Sequence, residues 1–184
     1  MDNKTLNELA IEVHENAVEH GWWQEERSFG EIIALCHSEL SEALEEYRNG
    51  NDKIRKLLIY YSGGGYVATA PTLCCKKPEG IAVELADCIL RILDYCGKEK
   101  FDVSNYCTME STYRPKTDNF AEWISYFHTT LSWSFVERTT LYITGCLREI
   151  LDYCNKENIN IDEAIEIKHE YNKTRPYKHG GKII

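Results

Sequence analysis

A stretch of helical sequence occurs twice in this chain, and that repeat limits what the chain can fold into more than any other feature. Phe29, Glu31, Ile33, His37, Leu40 and Ser41 recur as Phe120, Glu122, Ile124, His128, Leu131 and Ser132 at a constant offset. Cys88, Ile92, Leu93, Asp94, Tyr95, Cys96, Lys98 and Glu99 recur as Cys146, Ile150, Leu151, Asp152, Tyr153, Cys154, Lys156 and Glu157 at another. The offset changes because the first copy contains a long stretch, 51–77, that the second lacks. A helical pair that appears twice can bury its apolar faces by packing one copy against the other. The expected architecture is an all-α bundle with an internal pseudo-two-fold repeat, a tandem version of a homodimer. The 184 residues then form a single domain, with repeat 1 over about 28–114 and repeat 2 over about 119–184.

The periodicity is helical almost throughout. Leu6, Leu9, Ala10, Val13, Ala17 and Val18 lie on one face of a first helix that ends near Gly21. Ser28 with Glu31 is a capping box for a second, closed by Asn49-Gly50. A third runs from about Glu79 to Gly97, and its wide apolar arc suits the middle of a bundle. Asn119 with Glu122 opens a fourth as a further capping box, and a fifth spans roughly Thr139 to Lys156. Asn160 with Glu163 caps a sixth, which stops before Pro176. Residues 51–77, with Tyr60-Tyr61 and Gly63-Gly64-Gly65, read as a long loop that carries a short strand or ribbon and lies over the site.

Composition excludes several classes. The net charge of −9, from 21 basic and 30 acidic residues, disfavours a general nucleic-acid binder. The distribution is uneven: residues 168–184 carry a net +4 on a body of −13, and a basic tail is a candidate for meeting an anionic ligand. No apolar run approaches the ~20 residues that cross a bilayer. The polar start, Met1 to Ala10, has no secretion-signal core, so the eight cysteines are expected as reduced thiols in a cytoplasm. Cys36, Cys88, Cys96, Cys146 and Cys154 sit among apolar residues as small core side chains. Zinc spacing, a P-loop and a nucleophile elbow are all missing from the sequence.

The chemistry lies in carboxylates. Glu39 and Glu42 stand one turn apart on the second helix, Glu84 and Asp87 one turn apart on the third, and i, i+3 side chains share a face. Glu39 also continues the apolar row that holds Ile32. Carboxylates turned toward a core stay ionised only beside a cation. That many hard oxygen ligands suit Mg2+, with Mn2+ as a substitute.

Glu39-Leu40-Ser41-Glu42 followed by Glu84-Leu85-Ala86-Asp87 resembles the E-x-x-E…E-x-x-D signature of the MazG-like all-α nucleoside triphosphate pyrophosphohydrolases. Gly21-Trp22-Trp23, Lys77-Pro78-Glu79-Gly80-Ile81 and Lys168-x-x-Tyr171-Asn172-x-x-Arg175-Pro176-x-x-His179-Gly180-Gly181-Lys182 fit the same family. The likeness covers about residues 1–98 and 146–182. It implies Mg2+ at Glu39, Glu42, Glu84 and Asp87, and cleavage of a nucleoside triphosphate to the monophosphate and pyrophosphate. Lys168 and Arg175 would stabilise the phosphate charge, and Glu39 or Glu42 would also take the proton of the attacking water. Asn172 would orient a phosphate or a sugar hydroxyl, and His179 with Lys182 would clamp the leaving pyrophosphate. Trp22 is the candidate for stacking on a base, since adjacent Trp23 must face another way. His37 and His128 correspond to each other in both copies, which favours a structural role.

The chain departs from the family in an ordered way. Thr130 and Trp133 stand where Glu39 and Glu42 stand in the first copy, and Tyr142 and Gly145 where Glu84 and Asp87 stand. Conversely, Glu110 and Arg114 align with Lys168 and Asn172. Each half has lost what the other keeps, which predicts one composite site per chain. Two functions are open at this point: a pyrophosphohydrolase, or a binding protein that sequesters a nucleotide without turning it over. The base, the sugar and any self-association into a homo-oligomer are likewise open.

Overall fold

The computed structural model describes residues 5–49, 59–61, 77–110 and 112–178. The described residues form six helices and one two-stranded ribbon. The helices are α1 (Leu6–Glu19), α2 (Phe29–Arg48), α3 (Ile81–Glu99), α4 (Phe120–Glu137), α5 (Thr140–Lys156) and α6 (Ile161–Lys173). The ribbon pairs β1 (Tyr60–Tyr61) antiparallel with β2 (Pro78–Glu79), Tyr60 opposite Glu79. The fold is all-α. No described helix is long and apolar enough to cross a membrane.

Local chemistry sets the helix starts. Thr5 and Ser28 form capping boxes with Glu8 and Glu31, each satisfying two backbone donors reciprocally. Asn119 differs from expectation: its side chain accepts from the Ala121 N–H rather than joining a box with Glu122. Helix α3 begins two residues later than its sequence pattern indicates, because Pro78 and Glu79 pair with β1 and Gly80, at φ 121°, turns the chain into the helix. The rest of 51–77 lies outside the described residues.

Helix α3 is the axis of the molecule. It packs against α1, α2, α5 and α6, and Ile81 to Ala86, Cys88 to Leu90 and Ile92 to Asp94 are all buried. That is why its apolar arc is wider than that of a surface helix. Helices α2 and α4 pack on each other, and there the aligned residues His37 and His128 stack with ring centroids 4.9 Å apart. Contact between a residue and its own counterpart is what a two-fold relation between halves would produce. The Nδ1 atoms are 2.6 Å apart, so one ring donates while the other accepts. The five cysteines expected in the core are all buried.

The two halves differ at one place that decides which can hold a site. The connector between α3 and α4 lies across the start of α5. Cys107 N–H donates to the Leu141 carbonyl at 2.8 Å and the Thr144 hydroxyl to the Asn105 carbonyl at 2.8 Å. A Cβ on Gly145 would stand 1.9 Å from the Cys107 carbonyl oxygen. Gly145 occupies the alignment position of Asp87, so the second half has no room for that carboxylate.

Two predictions follow from this packing. Alanine ordinarily stabilises a helix interior over glycine by about 1 kcal/mol; Gly145→Ala is expected to destabilise instead, by about 1–3 kcal/mol, in urea denaturation. Burial, and for His128 also the neighbouring His37, lowers both histidines, His128 to about 4. Below the ordinary histidine value the unfolded chain then binds more protons than the native one, so stability falls as pH drops toward that folded value. A His37→Gln/His128→Gln variant is expected to lose less melting temperature than the parent between about pH 7 and about pH 5.

Candidate active site

Three helices each turn one stripe toward a single cavity of about 270 Å3. Helix α1 with its C-cap gives Val13, Asn16, Ala17 and His20, helix α3 gives Asp87, Leu90, Arg91 and Asp94, and α6 gives Lys168, His169 and Asn172. Each set follows the 3.6-residue period, so it forms one face of its helix. Glu39 and Glu42 from α2, Lys77, Trp22 and Arg175 complete the wall. Carboxylates of the first copy and the basic tail of the second therefore meet within one chain.

Oxygens of Glu39, Glu42 and Glu84 lie within 4.8 Å of one another. Glu39 and Glu84 are buried and Glu42 is exposed. Glu84 is 3% exposed, and its Oε2 has no hydrogen-bond partner among the described residues. Burial, with Asp87 as the next cause, pushes the Glu84 carboxyl up to about 8. Burial and Asp87 also raise Glu39, against the pull of Arg91. These are the marks of carboxylates gathered without enough positive charge, and the donor set fits a hard divalent cation.

Asp87 is engaged differently from its three companions. Lys168 Nζ is 2.6 Å from Asp87 Oδ2, and the lysine is only 2% exposed. Burial pulls the lysine down, but Asp87 and then Glu84 and Glu39 outweigh it and hold Lys168 above its ordinary value. Arg91 does not pair with Asp87, the partner i+4 spacing offers it. It donates from Nε to Glu39 Oε1 at 3.1 Å. Lys77 lies 3.9 Å from Glu84. The cavity thus contains both signs of charge in close contact.

The remaining candidates divide. Arg175 and Asn172 line the cavity, and burial lowers Arg175 from its usual value. Asn172 Oδ1 is a buried acceptor without a partner among the described residues. The segment after α6 is latched onto α1. Lys178 N–H donates to the His20 carbonyl at 3.0 Å, and a Cβ on Gly21, which has φ 78°, would stand 2.2 Å from the Tyr177 ring. That latch keeps Arg175 over the cavity. Trp22 lines the wall but is 7% exposed, with the Arg27 guanidinium 4.8 Å from its ring centroid. Trp23 is not part of the cavity lining but donates to Asp94, which is, at 2.8 Å. His179 and Lys182 lie outside the described residues. Arg91, Asp94, Asn16 and His20 were not singled out as site residues, yet extending the Asp87 row by four and seven positions reaches Arg91 and Asp94.

No family model, no curated protein and no solved structure matches the chain.

The buried pair yields a test. Lys168→Met leaves the Asp87 carboxylate beside an apolar side chain and is expected to cost about 3 kcal/mol in urea denaturation. Adding Asp87→Asn is expected to restore part of that loss, since the uncompensated charge is removed.

Proposed function

We propose that the chain hydrolyses a nucleoside triphosphate to the monophosphate and pyrophosphate with Mg2+ or Mn2+, as the MazG-like enzymes its motifs resemble do. The observation that supports this reading is the meeting of Glu39, Glu42 and Asp87 with Lys168, Asn172 and Arg175 around one cavity, with Glu84 close behind Glu39 and Glu42. Neither set alone would serve. A triphosphate is an anion that four carboxylates repel, and a basic cleft alone gives binding without chemistry.

The orphaned Glu84 Oε2 and its two close neighbours are a donor set with a place for a cation, so Glu39, Glu42 and Glu84 would hold the metal. When bound, Mg2+ would screen the phosphate oxygens and polarise phosphorus. The chain's own groups do the rest. Arg175 binds phosphate oxygens with a planar fork, and Lys168 is a point charge held beside them by Asp87. Asn172 Oδ1, an acceptor, suits a sugar hydroxyl better than a phosphate oxygen. Arg91 occupies Glu39, which leaves the exposed Glu42 best placed to take the proton of the attacking water. Water oxygen bonds to the α-phosphorus, the bond to the bridging oxygen breaks, and pyrophosphate leaves.

One observation favours a second reading, a protein that binds and sequesters a nucleotide. Arg91 and Lys168 already neutralise Glu39 and Asp87, so the site is not wholly given to a metal.

With Mg2+ and a panel of nucleoside triphosphates, the purified chain is expected to release monophosphate and pyrophosphate in equal amounts. Chelator or Glu84→Gln is expected to lower the rate at least about 100-fold. Tight nucleotide binding without release would favour the sequestering protein.

A further inference from the structure

Helix α1 runs antiparallel along α3: Asn7 donates to Asp102 at 2.9 Å and His14 meets Asp94 at 2.8 Å. The α3 stripe therefore has two ends. Asp87, with Lys168, marks one; Asp94 marks the other, two turns or about 10 Å along the axis. Between these ends the cavity wall includes Val13 and Ala17 from α1 and Leu90 from α3. Apolar side chains along this stripe suit contact with a base ring.

Asp94 is 7% exposed and borders this end of the cavity. Trp23 Nε1 donates to its Oδ1 at 2.8 Å, and His14 Nδ1 is 2.8 Å from the same oxygen. Both contacts fall on one oxygen, which fixes the carboxylate plane. An ionised carboxylate accepts hydrogen bonds and donates none.

We propose that Asp94 is the base-reading residue, and that the base it accepts carries an exocyclic amino group. This rests on the nucleotide reading of the same cavity. With Oδ1 engaged by the protein, Oδ2 is the acceptor offered to the ligand. An amino group there completes a charge-assisted hydrogen bond, as acidic side chains do with the amino group of cytosine. A base carbonyl would set two acceptors against each other. At that exocyclic position the carbonyl of uracil, thymine or hypoxanthine is thereby disfavoured against the amino group of cytosine or adenine.

The test compares pyrophosphate release from CTP with UTP, and from ATP with ITP, in the full chain and in Asp94→Asn. The substitution keeps Oδ1 for Trp23 and His14 and puts an amide donor where Oδ2 was. The parent is expected to favour the amino-bearing member of the better-accepted pair by at least about tenfold in kcat/KM. Asp94→Asn is expected to shift that ratio at least about tenfold toward the carbonyl-bearing member. An unchanged ratio in a folded variant overturns the proposal. Should the variant fail to fold, the parent decides alone: equal kcat/KM within both pairs overturns it. Release from none of the triphosphates overturns the nucleotide hydrolase reading itself, a result distinct from release without discrimination.

Discussion

A lysine buried to 2% exposure, 2.6 Å from an aspartate on another helix, is the contact on which the site depends. Lys168 belongs to the last helix and Asp87 to the central one, so the pair joins what the two halves of the chain contribute. Such a pair adds little net stability over an apolar replacement, because desolvation offsets most of the attraction. Its value is geometric. Once buried, neither charge tolerates loss of the other, and α6 is held at one height against α3. Asn172, farther along α6, and Arg175, just beyond its end, then face the same cavity.

Charge balance explains the division of labour. Four carboxylates near one another could not all ionise in a buried cleft, and the chain supplies Arg91, Lys168 and Lys77 among them. Glu84 is the least compensated, with an oxygen that lacks a partner among the described residues and a carboxyl pushed up to about 8. The second half follows a different course at the aligned positions. Glu149 stands where Arg91 stands and pairs with Arg114, 3.0 Å away. Thr130 is buried in place of Glu39. Gly145 admits the connector carbonyl where Asp87 would project. The connector fills in one half the space that stays open in the other.

The helices were legible because they are written in short-range terms: caps at Ser28 and Asn160, spacing of apolar residues, and a wide arc on α3. The aligned histidines His37 and His128 meet where α2 packs on α4. Gathering Glu39, Glu42 and Glu84 needed only the i, i+3 rule and two adjacent helices. Partner choice was not legible. Arg91 sits i+4 from Asp87 yet reaches across to Glu39, because Lys168 arrives from α6, a distance in sequence that periodicity does not measure. Trp22 could be marked as an aromatic near the site, but its coverage by Arg27 depends on the turn after α1. Asp94 looked like part of a repeated core motif, and it is the tertiary approach of Trp23 and His14 that sets it at the cavity wall.

The central claim is that one chain holds one complete site made from both halves. Mixing Glu39→Gln chains with Lys168→Met chains in equal amounts tests it most directly, with pyrophosphate release as the readout. A site built within each chain predicts that the mixture stays as inactive as either variant alone. Recovery of substantial activity on mixing would mean that Glu39 of one chain works with Lys168 of another, and would contradict it.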